Sequence, residues 1–166
     1  MKRLIKTNKI KRAIKKVAKQ ISEDYEGQTV TFVCCLTGAF MFFGELLQNL
    51  SSSIDARVVF VKLSSYADRK SAGELEFQYE SRRVNADENV IVVDDIYDSG
   101  QTLSFLLNKY KNAKSIKSCI LLEKKVPHLY QNKIDYLALT CADKFVVGFG
   151  LDCDEKHRTL PYIAEI

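Results

Sequence analysis

The most constraining feature of this 166-residue chain is the segment at residues 90–102, which reads V-I-V-V-D-D-I-Y-D-S-G-Q-T. Its first four residues form an unbroken β-branched run, which is typical of a strand buried on both faces in a parallel sheet covered by helices. A polar turn follows, and apolar residues then return at helical spacing, at Leu103, Leu106, Leu107 and Tyr110. The segment therefore predicts a strand, an acidic loop and the start of a helix.

The polar residues of this segment suggest how it binds a ligand. In open α/β sheets, ligands bind at the carboxyl ends of the strands, and a helix N-terminus offers free N–H groups to a phosphate. Gly100 lets the backbone approach that phosphate, while Ser99 and Thr102 add hydroxyl donors. Asp94 and Asp95 are suited to accept hydrogen bonds from two adjacent hydroxyls. The loop is thus predicted to hold both ends of a 5-phosphoribosyl group.

Other proteins also place paired acids at a strand end. Receiver domains do so near their N-terminus, and haloacid-dehalogenase-like phosphatases use an Asp-x-Asp pattern that this chain lacks. The simplest alternative is an exposed acidic turn in which Asp98 or Ser99 caps the following helix. Each residue alone fits that alternative, but the combination favours the phosphoribosyl site.

The order of strand, small turn and helix also occurs earlier, with a predicted strand at residues 29–36 and a helix at 40–50. Further apolar runs predict strands at residues 57–63, 116–122, 134–139 and 145–147. Residues 67–73 are polar and predict a mobile loop, and the alternation at 74–79 predicts an edge strand. Together these patterns predict one α/β domain at residues 1–166, with a mainly parallel sheet flanked by helices.

Composition and cysteine count indicate the class of protein and the compartment in which we expect it. No apolar run approaches the roughly 20 residues of a membrane helix, and we identify no secretory signal. The cysteine count is odd, at five, and no C-x-x-C pair occurs. We therefore expect a reduced, cytoplasmic protein that has no membrane partner and uses its cysteines as small core residues.

The N-terminal region is strongly basic. The first twenty residues contain nine Lys or Arg and no acid, and the remainder carries a net charge of −5. Apolar residues recur at helical spacing from Ile10 to Ile21, which predicts an amphipathic helix. We expect this helix to pack on the body with solvated lysines, rather than to bind nucleic acid, and we expect residues 1–9 to be poorly ordered.

The segment V-V-D-D-I-Y-D-S-G-Q-T resembles the phosphoribosyl pyrophosphate signature of type I phosphoribosyltransferases. The motifs L-T-G-A-F-M-F, S-S-Y, L-L-E-K and D-K-F-V-V-G-F-G-L-D-C-D-E-K-H-R-T-L-P-Y-I follow the order seen in hypoxanthine-guanine phosphoribosyltransferases. The resemblance covers roughly residues 10–166, and its last motif separates this branch from adenine, orotate and uracil relatives. It implies a type I core with a small hood or lid region, magnesium, and a homodimer or homotetramer.

The resemblance also assigns roles to individual residues. In the phosphoribosyl signature, it implies ribose and Mg²⁺ binding by Asp94 and Asp95, acid–base catalysis at purine N7 by Asp98, and 5′-phosphate binding by Ser99, Gly100, Gln101 and Thr102. Around the purine, it implies Lys124 at the 6-oxo group, Phe145 stacked on the base, Val146 at its edge, and Asp152 beside it with a second Mg²⁺. For pyrophosphate it implies Thr37, Gly38 and Arg158, and for the lid Ser65 and Tyr66.

Three positions depart from the family pattern. Thr37 stands where the family usually has Lys or Arg, in a loop whose peptide bond is often cis, and His128 stands where an Arg is frequent. Both changes reduce the positive charge around pyrophosphate. Tyr97 is bulkier than the usual aliphatic residue, and we expect the fold to tolerate it.

Two functions are consistent with these observations. The first is a purine salvage enzyme that makes IMP and GMP from hypoxanthine and guanine. The second is a catalytically weak sensor of the same fold that binds nucleotide and nucleic acid, which the basic helix and Thr37 motivate. Asp98 and the purine-site residues favour the enzyme.

Overall fold

A six-stranded sheet forms the centre of the protein, for which a computed structural model describes residues 1–65 and 75–166. The elements in chain order are β1 Lys2–Ile5, α1 Thr7–Asp24, β2 Thr29–Leu36, α2 Phe40–Gln48, β3 Asp55–Ser65, β4 Leu75–Glu80, β5 Asn89–Tyr97, α3 Gln101–Lys109, β6 Ser115–Lys124, β7 Tyr136–Cys141, β8 Val146–Val147 and β9 Ile163–Glu165. The strand order of the main sheet is β4-β3-β2-β5-β6-β7. Five strands run parallel and β4 is the antiparallel edge strand. The predicted α/β class and the edge strand are confirmed.

Helices cover both faces of this sheet. On β2, Phe32 and Cys34 belong to the core under α1 and α2, whereas Val33 and Cys35 belong to the core under α3. This division follows from the alternation of side chains along a strand. The central strands are apolar on both faces because each face is buried, as the V-I-V-V run predicts.

The N-terminal prediction was right for the helix and wrong for the residues before it. The apolar positions of α1, including Ile10 and Ile21, are buried as expected. Residues 1–9 are ordered, since β1 pairs antiparallel with β9 in a second sheet of order β1-β9-β8. The guanidinium carbon of Arg3 also lies 4.1 Å from the centre of the Tyr162 ring. A four-residue strand has no detectable periodicity, and its partner lies at the other end of the sequence.

Two connections differ from the simple alternation of strands and helices. Strand β5 extends through the acid pair to Tyr97, because β6 continues to pair with it as far as Tyr97 and Glu123. The link between β6 and β7, at residues 125–135, contains no helix. We call this link the connector. No helix in the described part of the chain is long and apolar enough to cross a membrane.

Candidate active site

The predicted site residues gather at the carboxyl ends of the parallel strands. Thr37 and Gly38 directly follow β2, and Asp94 and Asp95 lie near the end of β5. Lys124 is the last residue of β6. Parallel strands end at the same edge of a sheet, so the topology brings these residues together. Of the predicted lid, Ser65 ends β3, and Tyr66 and the loop at residues 67–73 lie outside the described residues.

The two adjacent aspartates have different surroundings. Asp94 is buried and lines a cavity of about 140 Å³ with the loop at residues 98–102. Asp95 instead lies against Gly38: a Cβ atom on that glycine would fall 1.7 Å from the Asp95 carboxylate. Each carboxylate also accepts a hydrogen bond from the next backbone N–H, at Asp95 and Ile96. Both bonds lie beyond Val93, the last β5 residue that pairs with β2.

The burial of this acid pair is electrostatically unfavourable. Burial raises the pKa of the Asp94 carboxyl well above its usual range, and the charge of Asp95 raises it further. Burial also raises the pKa of Asp95, although its hydrogen bond from Ile96 and the charge of Arg158 oppose that shift. The site therefore favours a ligand that brings positive charge or hydrogen-bond donors to these carboxylates.

The loop at residues 98–102, which we call the phosphate loop, leads into the first turn of α3. Gly100 occupies the N-cap position with a φ of +84°, a backbone conformation that L side chains rarely adopt. Within the described residues, no side chain forms an N-cap hydrogen bond to this helix. One weak internal contact exists, a 3.3 Å bond from the Gln101 N–H to the Ser99 hydroxyl. Such a helix N-terminus is suited to a phosphate group.

Lys124 and Asp98 face each other across the ends of β5 and β6. The ammonium of Lys124 lies 2.6 Å from Oδ2 of Asp98 and 3.8 Å from Oδ1 of Asp143. The Lys124 side chain is only 12% exposed, whereas that of Asp98 is 52% exposed. Near Asp143 in sequence, Phe145 presents a largely exposed ring and Val146 is buried in β8. The Lys124 ammonium thus lies between two carboxylates at the carboxyl end of the sheet.

The C-terminal loop reaches the turn after β2. A Cβ atom on Gly150 would lie 2.0 Å from the carbonyl oxygen of Gly38, so the two backbones touch. Arg158 donates to the Gly150 carbonyl at 2.9 Å and pairs with Asp152 at 2.9 Å. The Leu36–Thr37 peptide bond is cis, and it lies in the loop for which the resemblance implies such a bond. Thr37, Gly38, Asp152 and Arg158 therefore belong to one cluster.

Some residues of the site were missed from the sequence. Asp143 is the first residue of the D-K-F-V-V motif, but nothing in the sequence indicated that it lies beside Lys124. His128 was noted only as a departure from the family pattern, yet its Nδ1 contacts the Asp98 carbonyl oxygen. Tyr130 and Asn132 lie in the connector, which has no periodic pattern, and both bond to the phosphate loop. Only Gly150, in the sequence G-F-G, carried a local signal of a close backbone approach.

Comparison with known proteins finds relatives among the phosphoribosyltransferases. The family model described as "Phosphoribosyl transferase domain" matches residues 1–154. The hypoxanthine-guanine phosphoribosyltransferase of Streptococcus thermophilus is 35% identical over 152 residues, covering 90% of this chain and 83% of that protein. The bifunctional protein TilS/HprT of Listeria monocytogenes is 34% identical over 163 residues, covering 96% of this chain, which spans only 25% of that protein's length.

Solved structures extend the similarity to the whole chain. A crystal structure of a hypoxanthine-guanine phosphoribosyltransferase from Bacillus anthracis, with a HEPES molecule in its active site, superposes with a TM-score of 0.91 at 32% identity. The match covers all of this chain and 98% of that one. The match of the family model, the identity to full-length relatives and the shared fold lead to one conclusion: the chain belongs to the phosphoribosyl transferase domain family.

Proposed function

We propose that this protein is a purine salvage transferase that makes IMP and GMP. It transfers the 5-phosphoribosyl group of 5-phosphoribosyl 1-pyrophosphate to hypoxanthine or guanine and releases pyrophosphate. The observation that carries the proposal is the 2.6 Å pairing of Lys124 with Asp98, the first residue of the phosphate loop. This arrangement offers an acid–base group and a cation to a purine whose sugar donor is held next to it.

The sugar donor is bound by the end of β5 and the start of α3. The N–H groups of the phosphate loop hold the 5′-phosphate, assisted by the hydroxyls of Ser99 and Thr102. Asp94 and Asp95 accept hydrogen bonds from the ribose hydroxyls. Positive charge develops on the sugar as pyrophosphate leaves, and these carboxylates stabilise it.

The purine is bound between β6 and the segment after β7. Lys124 donates to the 6-oxo group, which favours oxopurines over adenine because adenine carries an amino group there. Phe145 stacks on the base through its exposed ring, and the Val146 backbone bonds the edge of the base, close to Asp152.

The reaction exchanges one bond at the sugar for another. Purine N9 forms a bond to C1′ while the bond from C1′ to the pyrophosphate oxygen breaks. The purine loses a proton from N7, and the Asp98 carboxylate accepts it. A positioned acid–base group of this kind contributes about 10²–10⁴-fold in rate.

Thr37, Gly38 and Arg158 are positioned to receive the pyrophosphate, and the carboxylates nearby are compatible with Mg²⁺. The part of the chain that the structure describes has no cluster of three metal-ligating side chains. Mg²⁺ often binds through one or two carboxylates together with substrate phosphates, so Asp94, Asp95 and Asp152 fit it as partial donor sets. When bound, the ion neutralises the charge of the leaving pyrophosphate.

The remaining features of the proposal concern the surroundings of the reaction. The enzyme works in the cytoplasm as a homodimer or homotetramer. Its five cysteines are free, in keeping with a reducing compartment.

The test is pyrophosphate release from the sugar donor and Mg²⁺, with hypoxanthine, guanine, xanthine and adenine in parallel. We expect turnover with hypoxanthine and guanine, reduced by about 10²-fold or more in Asp98→Asn. Asp87→Asn is a matched control, since it removes an exposed carboxylate just before β5, at the opposite end of the parallel strands. We expect this control to retain most activity. A folded protein that binds the sugar donor but turns over no base would contradict the enzyme and support the sensor.

A further inference from the structure

The connector holds three consecutive carbonyl groups of the phosphate loop. The Asp98 carbonyl contacts Nδ1 of His128, and the Ser99 carbonyl accepts a bond from the Tyr130 N–H at 2.9 Å. The Gly100 carbonyl accepts a bond from the side-chain amide of Asn132 at 3.0 Å. All three carbonyl oxygens are therefore turned towards the connector.

The hydroxyl of Tyr97 keeps the connector in place. It donates to the Tyr130 carbonyl at 2.6 Å and accepts from the Asn132 N–H at 2.9 Å. The Tyr97 ring is 2% exposed, and its centre lies 4.4 Å from that of His128 in an edge-on contact. The second ring nitrogen of His128 lies 3.6 Å from the Glu123 carboxylate. Tyr97 and His128 thus join the strand ends, the connector and the loop.

Peptide geometry links these bonds to phosphate binding. In a trans peptide, the carbonyl of one residue points away from the N–H of the next. Holding the carbonyls of Asp98, Ser99 and Gly100 on one side therefore directs the N–H groups of residues 99–101 to the other side. Successive N–H groups that point the same way around a left-handed residue, here Gly100, form an anion-binding concavity.

We propose that Tyr97, His128 and Asn132 are positioning residues that fix the phosphate loop in its anion-binding conformation before ligand arrives. A preorganised loop binds more tightly because it loses less conformational freedom on binding. The inference rests on the proposed function for its ligand, a nucleoside 5′-phosphate. It gives Tyr97 a role within the phosphoribosyl signature and adds two residues outside the signature, His128 and Asn132, to the site.

The test compares IMP with inosine as ligands of the protein, together with steady-state kinetics. Tyr97→Phe loses both bonds of its hydroxyl, and Asn132→Ala loses the side-chain bond to Gly100. In both variants we expect the affinity for IMP to fall about 5–10-fold, while the affinity for inosine stays the same. The KM for the sugar donor rises by a similar factor, and the KM for hypoxanthine does not change. His128→Arg is a conservative replacement of the remaining positioning residue. We expect the N–H donors of the arginine side chain to retain the contact with the Asp98 carbonyl.

Tyr110→Phe is the matched control, because the Tyr110 hydroxyl donates to Glu80 at 2.6 Å, outside the connector and the phosphate loop. We expect its IMP-to-inosine affinity ratio to equal that of wild type. If Tyr97→Phe fails to fold, Asn132→Ala decides the question, since Asn132 lies on an irregular link. If Tyr97→Phe and Asn132→Ala lose equal affinity for IMP and for inosine, or keep the wild-type affinity for IMP, the proposal is overturned. Absence of turnover in wild type would contradict the proposed enzyme activity but not this inference, because the affinities for IMP and inosine are measured without catalysis.

Discussion

Gly38 and Asp95 occupy adjoining space so closely that a Cβ atom on the glycine would lie 1.7 Å from Oδ2 of the aspartate. The turn after β2 and the acid pair of β5 therefore fit together only because residue 38 has no side chain. Gly150 packs against the same turn, since a Cβ atom on Gly150 would lie 2.0 Å from the Gly38 carbonyl oxygen. Gly38 therefore contacts both the Asp95 carboxylate and the backbone of Gly150.

We expect Gly38→Ala to reduce turnover strongly, by about 10²-fold or more, because Asp95 must move to admit the methyl group and so leaves the position in which we propose that it binds the ribose. Pyrophosphate release measures the effect. Gly44→Ala is the matched control: it lies inside α2 with nothing within 4 Å of an added Cβ. That change should leave turnover intact and stabilise the protein by about 0.5–1 kcal/mol. Equal activities of the two variants would contradict the proposed role of the close contact.

Thr37→Lys adds a positive charge at an exposed position of the cluster formed by Thr37, Gly38, Asp152 and Arg158, which we propose to bind pyrophosphate. We expect the KM for the sugar donor to fall by about two- to fivefold, which corresponds to an exposed ion pair, and the gain to shrink at high salt. Kinetics at two salt concentrations measure this effect. Ser53→Lys adds the same charge at an exposed turn before β3, at the opposite end of the parallel strands, and should not change the KM. An unchanged KM in Thr37→Lys would show that this position does not face pyrophosphate.

Lys124→Gln should weaken purine binding more than sugar-donor binding. The variant removes a charge that is 12% exposed, so we expect the KM for hypoxanthine and guanine to rise about tenfold or more. Lys125→Gln is the matched control, since the neighbouring side chain is 62% exposed and pairs with Glu123 at the surface. Parallel KM measurements for base and sugar donor distinguish the two variants. Similar purine KM values for both would remove Lys124 from the purine site.

The elements that could be predicted from the sequence are those marked by a pattern within one short segment. The V-I-V-V run and the apolar stripe of α1 predicted buried elements because periodicity and burial are encoded residue by residue. Strand β1 was not predicted, since its pairing with β9 joins residues about 160 positions apart. The bonds from Tyr130 and Asn132 to the phosphate loop were also missed, because an irregular link carries no pattern that reveals its partners.

Glu88 forms a buried network at the other end of the sheet, just before β5, and predicts a pH dependence of stability. Arg82 donates to both of its carboxylate oxygens, at 2.7 and 3.0 Å, and Thr31 and the Asn85 N–H add further bonds. The Arg82 hydrogen bond is the main cause that lowers the pKa of Glu88 to about 2. A lowered folded-state pKa contributes stability above the unfolded value of about 4.5, and that stability is lost as the pH falls from 4.5 towards 2.

We therefore expect Glu88→Gln to reduce the free energy of unfolding by about 2–3 kcal/mol at pH 7. The difference from wild type should narrow as the pH falls from 5 to 3, because protonation removes the same charge from the wild-type side chain. Urea unfolding at each pH measures both effects. Asp87→Asn, at the adjacent exposed position, is the control and should change stability by less than about 0.5 kcal/mol. A difference between wild type and Glu88→Gln that stays constant with pH would mean that shape, rather than charge, accounts for the contribution of Glu88.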